Sequence, residues 1–243
     1  MPRYKLWVEY EGTNYHGWQI QPDQPTIQGE LEKAFQQISR EEVRVHGQGR
    51  TDQGVHAFEQ IAHVDLKEEV DIPRFQYGIN GVLPADIAVW RMEVSADDFH
   101  ARFDATARQY AYFYTRRYHP LYRRTTEKVL QDVDINLLNQ CAEWVAGRHD
   151  FESFTKTSDE QPSAVCDVAL SEWKEVEEFL VYRIRANRFV RHLVRRLVGT
   201  MMRVATGRRE VGEFKQMLEQ PDPGEGGYTA SPKGLILEKV NYD

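Results

Sequence analysis

The sequence predicts an α+β protein built from two similar halves. Strand-like alternation of apolar residues recurs along the chain, amphipathic helical stripes fall between the strands, and 243 residues can bury two ordinary cores. We expect two ferredoxin-like or RRM-like halves that form a mixed, largely antiparallel central sheet flanked by helices, with a basic cleft between the halves. The domains are expected to span residues 1–104 and 105–243.

The first half shows the element order β-α-β-β-α-β, which is the ferredoxin-like order. Its opening strand, which ends at Tyr10, alternates polar and apolar residues, and Thr26 is placed to cap the helix that follows. A second helix is expected to begin at Asp71, because Pro73 falls in its first turn. The remaining strands are expected near residues 43–45, 62–66 and 87–94.

The second half is expected to begin with the strand RQYAYFY. A period of two places Arg108, Tyr110, Tyr112 and Tyr114 on one face, so that polar aromatic side chains share a face with arginine. The most basic helix of the chain is predicted to start with Asn187 as its N-cap. Further helices are expected after residue 134 and over 211–218, and strands over 165–173, 179–186 and 235–237.

Charge is unevenly distributed along the chain, although the formal net charge is -7. Nine arginines and no acidic residue lie between Arg183 and Arg209, and six arginines with one acid lie between Arg102 and Arg124. Such segregation indicates a basic cleft for nucleic acid on an otherwise acidic body. The alternative is that these arginines form solvated faces paired with Asp and Glu from elsewhere.

The cysteine pattern and the N-terminal sequence favour a cytoplasmic protein. Cys141 and Cys166 are far apart in the sequence and match no metal-ligand spacing, so we expect neither a disulfide scaffold nor structural zinc. The opening residues MPRYKLWVEY lack the long apolar run of a signal peptide or a membrane span. We therefore expect no membrane association.

The segment HGQGRTDQGVHA, residues 46–57, is the densest group of candidate functional residues. Its glycines bracket Arg50 and Asp52, and a carboxylate on a fixed turn can act as a nucleophile if a nearby cation keeps it ionised. A plain hairpin in which Asp52 caps its own turn is the simplest alternative. A glycosidase, which needs a second carboxylate paired with Asp52, and a histidine metal site are further alternatives. The sequence shows no such carboxylate pair, and its histidines lack the spacing of a zinc site on a helix.

Seven blocks in order resemble the TruA branch of pseudouridine synthases over nearly the whole chain. They are YEGTNYHGWQIQP, TIQGELEKA, GRTDQGVHA, FHARFDATARQYAYFY, GRHDFESF, ANRFVRHLVRRLVG and TASPKGLILEKVNY. The resemblance implies an isomerase that converts uridine to pseudouridine on the 3′ side of the tRNA anticodon stem-loop. It also implies a homodimer that needs no cofactor and no metal.

The resemblance assigns roles to particular residues. Asp52 matches the family's nucleophile, and Tyr110 matches the aromatic residue that contacts the target base. Arg50 matches the arginine that helps evert the nucleotide, and Arg195 matches the basic residue that pairs with the catalytic aspartate. Further arginines of the basic helix region are candidates for RNA-backbone contacts, namely Arg188, Arg191 and Arg196.

Three positions depart from the commonest family pattern, and some alternatives stay open. Gln53 stands where Ala is usual, Arg196 where Asn is frequent and Ser231 where Pro is common, which puts substrate preference in doubt. The sequence leaves open whether Asp52 attacks C1′ of the ribose, attacks C6 of the base or assists loss of the C2′ proton. The rival functions are a non-catalytic tRNA-binding or chaperone module and a carboxylate-based nucleosidase.

Overall fold

A computed structural model describes residues 1–155, 163–224 and 226–242 of the chain. These residues form two compact units: one comprises residues 1–106 with the C-terminal stretch from Ile236, and the other is Ala107–Leu235. Each unit combines helices with a mixed, largely antiparallel sheet, which confirms the α+β class. Among the described residues, no helix is both long enough and apolar enough to cross a bilayer.

The first unit has the predicted order β-α-β-β-α-β. Its elements are β1 (Arg3–Tyr10), α1 (Ile27–Ser39), β2 (His46–Gly47), β3 (His56–Asp65), α2 (Ile72–Val82) and β4 (Ile87–Val94). Strand β1 is central and pairs antiparallel with β3 and β4, with Leu6 opposite Ala62 and Met92. The last strand of the chain, β10, is Leu235–Asn241, and its residue Ile236 pairs parallel with His56 of β3.

The helices of this unit begin where their capping residues predict. The Gly29 N–H donates to the Thr26 hydroxyl oxygen, and the Arg74 N–H donates to the Asp71 carboxylate, as expected for N-caps. The short strand predicted near residues 43–45 is wrong by a few positions, because β2 is His46–Gly47. The Val45 N–H instead donates to the Glu32 carboxylate at 3.0 Å, so its backbone bonds to α1.

The second unit contains strands and helices in the order β-β-α-β-β-β-α-α. They are β5 (Ala107–Thr115), β6 (Glu127–Lys128), α3 (Ile135–Val145), β7 (Gly147–Asp150), β8 (Val165–Val176), β9 (Phe179–Ala186), α4 (Leu193–Ala205) and α5 (Val211–Glu219). The sheet order is β5-β9-β8-β7, with β6 parallel to β5. The sequence did not predict β6 and β7, which are too short to show a period.

The prediction that Asn187 caps the basic helix is wrong, because α4 begins at Leu193 and its N-cap is His192. Asn187 instead continues the pairing of β8 and β9: its N–H donates to the Asp167 carbonyl oxygen, and its side-chain oxygen accepts from the Asp167 N–H. The apolar stripe of the helix is buried as predicted, including Val194, Leu197 and Met201.

Candidate active site

Asp52 begins a tight turn in the first unit. The Val55 N–H donates to the Asp52 carbonyl oxygen at 3.2 Å, and Gly54, the third residue of the turn, has a φ of +77°. A positive φ at this position is typical of type II turns, which accept most residues at the second position. The exposed Gln53 occupies that second position, so it is compatible with the turn. The half-buried side chain of Asp52 therefore projects from a defined backbone.

The segment that follows β1, which includes Tyr15 and Trp18, forms hydrogen bonds with the turn. The Trp18 N–H donates to the Thr51 carbonyl oxygen at 3.2 Å, and the Gly54 N–H donates to the Tyr15 carbonyl oxygen at 3.3 Å. At the end of β1, the buried Tyr10 hydroxyl lies 2.8 Å from the Thr51 hydroxyl. These hydrogen bonds fix the residues on both sides of Asp52.

Two glycines allow this segment to lie directly on the turn. A Cβ on Gly12 would overlap the Val55 carbonyl oxygen, and a Cβ on Gly17 would lie 2.5 Å from the Thr51 carbonyl oxygen. Gly17 also has a φ of +90°, a conformation that side chains with a Cβ rarely adopt. Substitution at either position would push the backbone away from Asp52.

Arg50 lies two residues before Asp52, and its side chain is exposed. The loop around it is fixed by its own hydrogen bonds. The Gln60 side-chain amide donates to the Gly49 carbonyl oxygen at 3.0 Å, and the Gln48 N–H donates to the Ile61 carbonyl oxygen at 2.8 Å. The structure therefore brings an exposed guanidinium and the candidate nucleophile together in one hydrogen-bonded loop.

Tyr110 lies in the second unit, on β5, opposite Ile184 of β9. Its ring is half-buried and meets the Phe189 ring edge-on, with ring centroids 5.2 Å apart. The contact with Phe189 gives the ring a defined orientation, and because the ring is only half-buried it can offer a surface on which a base stacks.

The predicted polar face of β5 is only partly correct. Tyr112 and Tyr114 are buried, with 0% and 6% of their surface exposed; the Tyr112 ring packs against the Tyr114 ring, which in turn packs against Trp173. Burial raises the pKa of both hydroxyls. The alternation of the strand identified a shared face, but this part of the face belongs to the core of the unit.

Arg195 lies in the first turn of α4 and is attached to the segment that precedes β10. Its Nε donates to the Ala230 carbonyl oxygen at 2.9 Å, and the Ala230 N–H donates to the Arg195 carbonyl oxygen at 3.0 Å. The next residue of this segment, Ser231, accepts a hydrogen bond from the Tyr112 hydroxyl at 2.8 Å. The Ala230 carbonyl oxygen thus orients the Arg195 side chain, and the Ala230 N–H holds the Arg195 backbone beside it.

The other arginines of this region differ in exposure. Arg191 is exposed and Arg188 is half-buried, as expected for residues that contact phosphate. Arg196 is only 8% exposed, and its guanidinium donates to the Thr155 carbonyl oxygen at 2.8 Å. Burial lowers the Arg196 pKa. This placement suits a structural bond within the unit better than the RNA contact that the sequence predicted.

Three histidines of the first unit, His46, His63 and His100, present ring nitrogens within 4.8 Å of one another. The His63 Nδ1 accepts from the Ala101 N–H at 3.2 Å, and the His100 Nδ1 accepts from the Arg102 N–H at 3.1 Å. A neutral ring whose Nδ1 accepts a hydrogen bond carries its proton on Nε2, so neither nitrogen has a free lone pair for a metal. These hydrogen bonds disfavour a metal site at the cluster.

The sequence did not reveal the residues that support the predicted site. The sequence placed Tyr10 at the end of the opening strand and His56 within the candidate segment, but it assigned neither residue a role in supporting Asp52. The structure shows that both side chains bond to the loops around Asp52. The available signal was position, because Tyr10 ends β1 and His56 begins β3 immediately after the turn.

The chain matches the model of a protein family described as tRNA pseudouridine synthase over residues 6–104 and 142–243. It therefore belongs to this family. It is 39% identical to the tRNA pseudouridine synthase A of Bacteroides thetaiotaomicron, covering 100% of this chain and 91% of that protein. Identity to the tRNA pseudouridine synthase A of Chlorobaculum tepidum is also 39%, covering 98% of this chain and 97% of that protein. Family membership defines the chain as an isomerase that forms pseudouridine from uridine in tRNA.

Proposed function

We propose that this chain forms pseudouridine in the anticodon stem-loop of tRNA with Asp52 as its nucleophile. The observation that carries the proposal is the Asp52 turn, which is hydrogen-bonded to the preceding segment and closely backed by Gly12 and Gly17. Reacting groups must be held in a defined geometry for efficient attack, and this backbone provides it.

The reaction is an isomerisation with no change of oxidation state. The bond from uracil N1 to ribose C1′ breaks, the bond from C5 to C1′ forms, C5 loses a proton and N1 gains one. If Asp52 attacks C1′ or C6, it forms a covalent intermediate that divides this exchange into two easier steps, whereas assistance in the loss of the C2′ proton needs no such intermediate. The uracil must first leave its stack, at a cost of a few kcal/mol, and stacking on Tyr110 returns about 1 to 3 kcal/mol.

Arginines supply the positive charge that this mechanism needs. We assign Arg195 as the partner of the Asp52 carboxylate and Arg50 as the residue that helps evert the nucleotide. Arg188 and Arg191 are assigned to the RNA backbone, since neither side chain is buried. We leave Arg196 out of this set because its guanidinium is directed to the Thr155 carbonyl oxygen.

We further propose that tRNA is bound by a homodimer of this chain in the cytoplasm. The family resemblance supports the dimer, and light scattering of the purified protein tests it. A mass equal to one chain at micromolar concentration would exclude the dimer.

Tritium release from tRNA labelled at uridine C5 tests the catalytic role of Asp52. We expect release with the native protein and none with Asp52→Asn, which keeps the size of the side chain but removes its charge. Release by the Asn variant at the native rate would overturn the assignment. If the native protein binds tRNA without releasing tritium, the non-catalytic RNA-binding module is the better account.

Mass analysis of the product separates isomerisation from base removal. Pseudouridine formation leaves the mass of the tRNA unchanged, whereas a nucleosidase releases free uracil and leaves an abasic ribose. A loss of mass would therefore identify the nucleosidase.

A further inference from the structure

His56 follows the Asp52 turn directly and is only 2% exposed. Its Nδ1 accepts a hydrogen bond from the Gly12 N–H at 2.9 Å. Gly12 is also the residue whose backbone lies against the Val55 carbonyl oxygen, one position before His56. The imidazole therefore joins the segment after β1 to the end of the turn that carries Asp52.

A second connection lies on the other side of the turn. The Tyr15 N–H donates to the Gly12 carbonyl oxygen at 3.0 Å, and the Tyr15 carbonyl oxygen accepts from the Gly54 N–H at 3.3 Å. Gly54 and His56 are separated by one residue, so these hydrogen bonds close a small ring through Gly12, Tyr15, Gly54 and His56. Removing the His56 acceptor opens this ring and leaves the Gly12 N–H without its side-chain partner.

We propose that His56, as a neutral ring with its proton on Nε2, is the positioning residue that holds the Asp52 turn in its reactive geometry. The proposal rests on the proposed role of Asp52. The required tautomer follows from the contact, since a ring nitrogen that accepts a hydrogen bond must be unprotonated. The Glu11 carboxylate lies 3.8 Å from the same Nδ1 and caps the Thr13 N–H at 2.9 Å. A proton on Nδ1 would therefore replace the Gly12 bond with an ion pair to Glu11.

The main test compares His56→Leu with His56→Asn. Leucine removes the acceptor, and a shift of about 1 Å in a reacting group can cost about a hundredfold in rate, so we expect a loss of that order in kcat. The KM for tRNA should not change, because only the reactive geometry is affected. Asparagine carries an oxygen the same number of bonds from Cα as Nδ1, so His56→Asn should restore most of the rate.

His63→Leu is the matched control. His63 lies on the same strand, is also 2% exposed, and its Nδ1 accepts from a backbone N–H in the same way. Both leucine variants should lose similar stability, but only His56→Leu should lose turnover. Equal losses of kcat in the two variants, or no rescue by His56→Asn, would overturn the proposal.

The tautomer provides a test that does not depend on how the variants fold. Nitrogen-15 NMR of the native protein should show His56 neutral and protonated on Nε2. A proton on Nδ1 at the pH of the assay would contradict the proposal. Failure of the Asp52 assignment would show separately, as tritium release by Asp52→Asn.

Discussion

The Tyr112 hydroxyl donates to the Ser231 carbonyl oxygen at 2.8 Å and so connects β5 to the segment that holds Arg195. A Cβ on Gly234 would lie 2.5 Å from the Tyr112 ring, so this segment lies tightly against the tyrosine. Ser231 replaces the proline that is common in the family, but the bond uses its carbonyl oxygen, which proline also has. The Ser231 departure is therefore compatible with this contact.

The first prediction concerns Tyr112→Phe, which removes only the hydroxyl. We expect the free energy of unfolding to fall by about 1 kcal/mol, the usual net value of one hydrogen bond. Turnover should also fall, because the segment that orients Arg195 loses an attachment. Chemical denaturation and tritium release measure the two effects.

Tyr182→Phe is the control for this prediction. The Tyr182 hydroxyl is likewise buried and lies 2.8 Å from the Ser171 hydroxyl, but it does not bond to the segment around Ala230. Tyr182→Phe should therefore lose about as much stability as Tyr112→Phe but keep the native turnover. If Tyr112→Phe and Tyr182→Phe have the same kcat, the connection from Tyr112 to Arg195 has no catalytic effect.

The second prediction uses the difference in exposure between Arg191 and Arg196. Arg191→Ala should weaken tRNA binding and reduce the slope of log affinity against log salt by about one, since one phosphate contact is lost. Arg196→Ala should leave that slope unchanged and instead lower stability by about 2 kcal/mol, because a buried charged hydrogen bond is removed. A reduced slope in the Arg196 variant would show that its guanidinium reaches the RNA.

The third prediction concerns Gly17→Ala, which places a Cβ against the Thr51 carbonyl oxygen at a φ of +90°. We expect a loss of stability of about 1 to 3 kcal/mol from backbone strain, together with lower kcat because the Asp52 turn is displaced. Gly81→Ala in α2 is the control. None of the residues that the structure describes lies within 4 Å of the added Cβ, so Gly81→Ala should be neutral or stabilising by less than about 1 kcal/mol. Native turnover in Gly17→Ala would show that the turn tolerates displacement.

Local sequence patterns predicted much of the first unit. Thr26 and Asp71 cap helices through their own neighbours, so the relevant contacts lie within a few residues and are visible in the sequence. Asn187 misled the prediction because its side chain bonds to Asp167, twenty residues away, rather than to a helix. In the sequence, an Asn that caps a helix looks the same as an Asn that joins two strands, because the neighbouring residues do not show which partner its side chain binds.

The candidate segment around Asp52 was predicted from its residues, but the contacts that support it were not. The glycines around Asp52 indicated that another part of the backbone comes close to this segment. The residues that contact it, such as Tyr10 and Gly12, lie about forty residues earlier in the chain, so the sequence did not reveal them. The alternation of β5 likewise gave the face of Tyr112 but not its burial, because a period of two does not reveal which face packs against the core. Arg196 lies on a helix, and its place in the sequence beside the apolar stripe did not show that its guanidinium would donate to the Thr155 carbonyl oxygen.

The last prediction is a loss of stability in acid that depends on His63. Burial, together with the neighbouring His46 and Arg3, lowers the His63 pKa from 6.5 to about 4. Below pH 6.5 the unfolded chain therefore binds a proton that the folded protein accepts only near pH 4. Stability falls as the pH falls through this window, by about 3 kcal/mol in total, and is fully present above it. Denaturation between pH 4 and 7 measures this slope.

His63→Asn is the matching variant, because its side-chain oxygen still accepts from the Ala101 N–H but does not titrate in this range. Its stability should be lower at pH 7 and should change less with pH. Some slope should persist, since burial and Arg44 also lower the pKa of His46. If the native protein and His63→Asn lose stability in parallel between pH 6.5 and 4, the acid sensitivity arises from other groups. The pKa of His63 would then be the same in the folded and unfolded states.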